Sequence, residues 1–63
     1  MSIFDKLIEI RREKKISQKE MAKRLDCSQS ALNLYEKGKR SISFSLLEGY
    51  CKELGFEFKI QLL

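Results

Sequence analysis

Gln29, Ser30, Asn33, Leu34 and Lys37 fall on one face of any helix drawn through them, at roughly 100° per residue. That face lacks acidic residues and combines amides, a hydroxyl and an apolar side chain. These groups suit base edges, since a Gln or Asn amide can pair bidentately with adenine and leucine can meet a thymine methyl. The chemistry on offer is recognition rather than bond making. Other chemistries lack their reagents, because the chain has no histidine and only two cysteines, Cys27 and Cys51. A zinc site would need about four N/S ligands at suitable spacing. A nucleophilic cysteine would need a base beside it. Neither enzyme activity nor a metal or cofactor is expected, and the thiols are expected to be reduced and packed.

The elements that must position this face are legible around it. Ser28 is an N-cap for the helix that carries it, over about 29–36, with Ala31, Leu32 and Tyr35 as its buried side. A preceding short helix, about 18–25, opens at Ser17, and Ser17 with Glu20 fits a reciprocal capping box. Met21, Ala22 and Leu25 form its buried face, and Ile16 enters the core as a hydrophobic staple. Leu25-Asp26-Cys27 supplies the turn, with Asp26 able to take a left-handed backbone. Two short helices joined this way make a helix-turn-helix whose second helix could enter a major groove. An ordinary helical hairpin with a polar outside would share the pattern.

Charge favours a nucleic-acid partner. The 63 residues carry a net charge of +4, but residues 11–40 hold ten Lys/Arg against four acids, whereas the remainder holds three against five. Positive charge is thus concentrated around the two-helix unit, as phosphate contact requires. Gly38 stops the helix, and Lys37, Lys39 and Arg40 flank it at the level of a DNA backbone. Gln18, in the first turn after Ser17, can hold a phosphate oxygen. No signal peptide and no apolar run of about 20 residues is present, so a cytoplasmic protein without a membrane span is expected.

Toward the N-terminus, a helix over about 2–14 has Ile3, Leu7 and Ile10 as its expected core face, with Phe4 and Ile8 as a second apolar strip needing cover. A further helix over about 44–54 starts at the Ser43 cap, presents Leu46, Leu47, Tyr50, Cys51 and Leu54, and ends at Gly55. The period then changes. Phe56, Phe58, Ile60 and Leu62 alternate with polar residues, which predicts a strand over about 56–62. A lone strand cannot satisfy its backbone groups, and no other segment has strand periodicity. The expected partner is the same strand of a second copy, in an antiparallel ribbon that would also cover Phe4 and Ile8. A strand awaiting a different protein is the competing expectation.

Ile10-Arg11, Ile16-Ser17-Gln18, Met21-Ala22, Leu25, Ser28-Gln29-Ser30 and the run Tyr35-Glu36-Lys37-Gly38-Lys39-Arg40 together resemble the phage-repressor/Cro-like (xenobiotic-response-element) helix-turn-helix family. The likeness covers about Leu7 to Gly55. It implies a small all-α, four-helix, lambda-repressor-like domain in which Arg11 pairs with Glu36 to lock the first helix to the reading helix. It also implies that Gln29, Ser30, Asn33 and Leu34 face bases, and that Gln18, Ser28, Lys37, Lys39 and Arg40 meet phosphates. Three positions depart from the family: Asp26 replaces a turn glycine, Ile42 stands where proline is frequent, and Leu34 replaces a longer polar or basic residue. The terminal strand resembles the HipB-type antitoxin-like branch, whose strands pair across the dimer. The expectation is a homodimeric, sequence-specific repressor of double-stranded DNA, with half-sites about 34 Å apart in an inverted repeat. An antitoxin that also binds a toxin, an interaction module that reads no DNA, and a fragment of a longer regulator are the alternatives, although the strand ending reads as a natural terminus.

Overall fold

The computed structural model describes residues 2–59, folded as four helices: α1 (Ile3–Glu13), α2 (Gln18–Arg24), α3 (Gln29–Glu36) and α4 (Phe44–Glu53). Every helix starts the same way. Ser2, Ser17, Ser28 and Ser43 stand in extended backbone, and each hydroxyl accepts the N–H three residues on, at 3.0–3.1 Å. Such caps contribute about 1 kcal/mol each, which matters in a domain this short.

The reciprocal capping box lies elsewhere than expected. At α2, Glu20 turns away from the cap and takes Arg24 Nε at 3.1 Å, four residues on. The full box is on α1, where Asp5 accepts the Ser2 N–H at 3.1 Å. Aspartate reaches back as glutamate would, and the pairing with Arg24 offers Glu20 a competing partner on its own helix face.

Every helix also ends the same way. Lys15, Asp26, Gly38 and Gly55 take positive φ of 59°, 57°, 74° and 88°. In each case the next N–H reaches back to the carbonyl three residues before the cap, as in Lys39 N–H to Leu34 O at 2.9 Å. Gly38 and Gly55 adopt this backbone without strain, Asp26 tolerates it, and Lys15 takes it although nothing in its side chain favours it.

Between these ends the core is one cluster of Leu7, Ile8, Met21, Ala22, Leu32, Leu47, Tyr50, Cys51 and Leu54. Of the face expected of α1, Leu7 is buried and Ile10 packs on the core, but Ile3 stands in solvent. Ile3 is 70% exposed, Leu7, Ile8 and Arg11 are buried, and Phe4 and Ile10 on either side are half-buried against the core. Phe4, Leu7, Ile8 and Arg11 lie at i, i+3, i+4 and i+7, a regular helix face disguised by an arginine at its last position. Phe4 meets Tyr50 edge to face, with centroids 5.2 Å apart and rings at 85°. Ile8 is therefore buried in the chain's own core, and Phe4, half-buried, packs against Tyr50 of α4.

The expected strand is not seen among the described residues. Phe56 to Lys59 carry no regular secondary structure; Phe58 packs on the core and Phe56 is 46% exposed. Ile60 and Leu62, the other half of that strand, lie outside the described residues.

Candidate nucleic-acid interface

One polar cluster ties the four helices together. Arg11 of α1 meets Glu36 of α3 bidentately, Nη2 to Oε1 at 2.8 Å and Nε to Oε2 at 3.1 Å. The two side chains are only 6% and 4% exposed. The remaining Arg11 donor, Nη1, reaches the carbonyl of Ile16 at 2.7 Å and so fixes the entry to α2. Tyr50 of α4 donates its hydroxyl to Glu36 Oε2 at 2.8 Å and accepts from Arg11 Nε at 3.0 Å. Gln18 of α2 donates Nε2 to Glu36 Oε1 at 3.2 Å and to Asn33 Oδ1 at 3.3 Å.

A buried ion pair survives only when its leftover donors and acceptors are met, and here they are. No buried polar side-chain atom lacks a partner among the described residues. Burial alone would lower the Arg11 pKa, but the hydrogen bond and charge of Glu36, with smaller help from Tyr50, leave it raised. Burial, and then the hydrogen bond and charge of Glu36, push the Tyr50 phenol well above its ordinary range. Both groups are thereby held in the protonated form that the cluster needs.

The cluster ties α3 to α1 through Arg11 and to α2 through Gln18. Gln29 and Ser30 are exposed, while Asn33 and Leu34 are half-buried on the same side. The four expected base-facing residues therefore share one face, and Asn33 is joined through Gln18 to the buried pair. Ser28 uses its oxygen to cap Ala31 N–H at 3.0 Å, which leaves its hydroxyl hydrogen free to donate.

On either side of the glycine stop, Lys37, Lys39 and Arg40 are exposed and make no ion pair among the described residues. The Arg40 guanidinium lies over the Tyr35 ring, 5.9 Å from its centroid, which holds a long side chain near the end of α3. Gln18 behaves differently from the other expected phosphate ligands. Its amide nitrogen is turned inward to two acceptors, so its carbonyl oxygen is left outermost, a poor group for a phosphate.

Phe56 and Phe58, expected at the dimer, line an apolar groove with Ile3, Leu7, Ile10 and Cys51, edged by Lys6 and Lys59. No reading-face residue lines it. Cys51 is buried and Cys27 half-buried, neither is in a disulfide, and burial raises both thiol pKa values, with Asp26 adding to the effect at Cys27. Raised thiols are poor nucleophiles at neutral pH. No group of three or more His, Cys, Asp and Glu among the described residues could hold a metal ion, and no described helix is long and apolar enough to cross a membrane.

Sequence reasoning missed two parts of this cluster. Tyr50 reads as one more apolar position on α4, although a buried tyrosine hydroxyl usually finds a partner and so points to a polar neighbour. The Gln18–Asn33 contact joins two residues assigned separately to phosphate and base.

A compact helix-turn-helix with an outward amide face and a basic rim defines a class of DNA-binding regulator. The family model described as Helix-turn-helix matches residues 7–60, and the chain belongs to this family, of the Cro/C1 type. Comparison with curated proteins and with solved structures found no match.

Proposed function

We propose that this protein is a sequence-specific repressor that binds double-stranded DNA as a homodimer and neither catalyses a reaction nor uses a cofactor. The observation that carries the reading is the face of α3. Gln29 and Ser30, exposed, share one side with the half-buried Asn33 and Leu34, on a helix braced from behind by a buried charge cluster. Side chains meant for base edges must be held by rigid elements, because a misplaced amide loses its hydrogen bonds. Lys37, Lys39, Arg40 and the Ser28 hydroxyl supply phosphate contacts that set register and most of the affinity. Gln18, with its donors turned inward, is the weakest member of that set.

Two copies would place two α3 helices in successive major grooves, about 34 Å apart, on an inverted repeat. The apolar groove of Ile3, Ile10, Phe56 and Phe58 supports association of two copies, since such surface is costly to leave in water. Repression follows by occlusion of a promoter in the cytoplasm, the protein's own upstream DNA being the first candidate.

The test is a binding titration against that upstream DNA over several salt concentrations, with scrambled duplex as competitor. Preference for the upstream DNA, with affinity falling steeply as salt rises, is the expected result. Equal affinity for both duplexes at every salt concentration would refute this choice of site, and no binding to either would refute DNA reading.

A further inference from the structure

We infer that Gln18 is a specificity-determining positioning residue, which turns the Asn33 amide so that Asn33 reads bases as a hydrogen-bond donor. The inference rests on the DNA reading proposed above and deepens it to one residue and one kind of base edge.

Donor and acceptor roles are passed along a chain of contacts from Arg11 to Asn33. Arg11 is a donor at every nitrogen and stays protonated, so it can face only acceptors. Glu36 answers with both carboxylate oxygens, and Oε1 carries Arg11 Nη2 at 2.8 Å and Gln18 at 3.2 Å. A carboxylate oxygen accepts, so the Gln18 atom at that distance has to be its nitrogen. The same nitrogen lies 3.3 Å from Asn33, so the Asn33 atom facing it has to be the oxygen. Neither amide can be reversed without setting two acceptors or two donors against each other beside a buried charge.

What remains outermost on Asn33 is its Nδ2 group. Nδ2 has no partner among the described residues, and no buried polar side-chain atom there lacks one, so Nδ2 opens to solvent. It stands on the same outward face of α3 as Gln29 and Ser30. An NH2 group offered to a major groove matches edges that accept. Guanine offers two acceptors, N7 and O6, and is matched best; adenine N7 and thymine O4 offer one each; the cytosine amino group is a donor and is rejected. Without Gln18, Asn33 could turn over and pair with adenine through both of its atoms. Gln18 thus selects guanine over adenine at that position without touching either base.

Two experiments test this together. In the free wild-type protein, NMR exchange of side-chain amide protons should show those of Gln18 exchanging with water more slowly than those of Asn33. The reverse order would overturn the relay without reference to DNA. In selections from randomised duplex, wild type should enrich guanine at one position per half-site, and Asn33→Ala should abolish the preference there. Asn33→Asp, whose second oxygen would face outward in place of Nδ2, should shift that position to cytosine. Gln18→Met should blur that position more than any other, discrimination between guanine and adenine falling from about tenfold toward none. Thermal melting of each variant checks that it is folded. If the position prefers adenine or cytosine in wild type, or is unaltered in Gln18→Met, the relay is wrong while DNA reading stands. If wild type enriches no sequence, DNA reading fails and the relay with it.

Discussion

Arg11 and Glu36 lie side by side with two parallel hydrogen bonds, at 2.8 and 3.1 Å, and between them join α1 to α3 across 25 residues of chain. Both side chains are almost wholly out of water. Removing one partner of such a pair leaves an uncompensated buried charge, at about 3–5 kcal/mol. A domain of this length has roughly 3–9 kcal/mol in total. Arg11→Met or Glu36→Leu alone should therefore leave the protein largely unfolded in a urea titration. The double variant, with no buried charge left, should recover part of the loss. If each single variant unfolds within about 1 kcal/mol of wild type, the pair does not hold the helices together.

Tyr50 gives the pH dependence its sign. Its phenol is held above the ordinary value of 10.0, by burial first and then by Glu36. The unfolded chain therefore loses this proton at lower pH than the folded one, and the stabilisation is intact below about pH 10 and declines as pH rises further. Tyr50→Phe lacks this titration. The stability difference between wild type and Tyr50→Phe should be constant from about pH 7 to 9 and shrink above about pH 10, measured by urea unfolding at each pH. A difference that grows in the alkaline range would mean that Tyr50 ionises more readily in the folded protein.

The Asp26 turn carries strain that glycine would relieve. Asp26 sits at φ of 57°, and its carboxylate joins no ion pair among the described residues. Asp26→Gly should stabilise the protein by about 0.5–1 kcal/mol, the left-handed penalty less the greater freedom of an unfolded glycine. For a domain of this size that is about 4 °C in melting temperature. A lower melting temperature would show that the Asp26 side chain stabilises the turn.

Phosphate and base contacts should separate in binding experiments. Lys37→Ala should weaken operator and random duplex alike, and reduce the salt dependence by about 0.9 in logarithmic slope for each phosphate no longer neutralised. Gln29→Ala should weaken operator binding by about 1–3 kcal/mol while leaving random duplex nearly unaffected. Equal losses on both duplexes for Gln29→Ala would remove it from the base-reading set.

What the chain states locally, it states plainly. Ser17, Ser28 and Ser43 mark three helix starts, Gly38 and Gly55 mark two ends, Asp26 marks the turn, and the polar side of α3 follows from helical spacing alone. These depend on groups within four residues of each other, so the sequence by itself determines them. The face that α1 buries is not legible in this way. Ile3-Leu7-Ile10 and Phe4-Ile8-Arg11 are adjacent helical rows, and nothing in an isolated helix says that the buried face drops Ile3 and takes in the arginine beside Leu7 and Ile8. Packing decides it, because Glu36 and Tyr50, distant in sequence, wait at the far end of the second row and accept the guanidinium. The same holds for the link from Gln18 to Asn33, since Gln18 of α2 meets both Asn33 and Glu36 of α3 only once the two helices are packed. Periodicity reports which side of an element is apolar; only the assembled tertiary structure settles where each donor meets its acceptor.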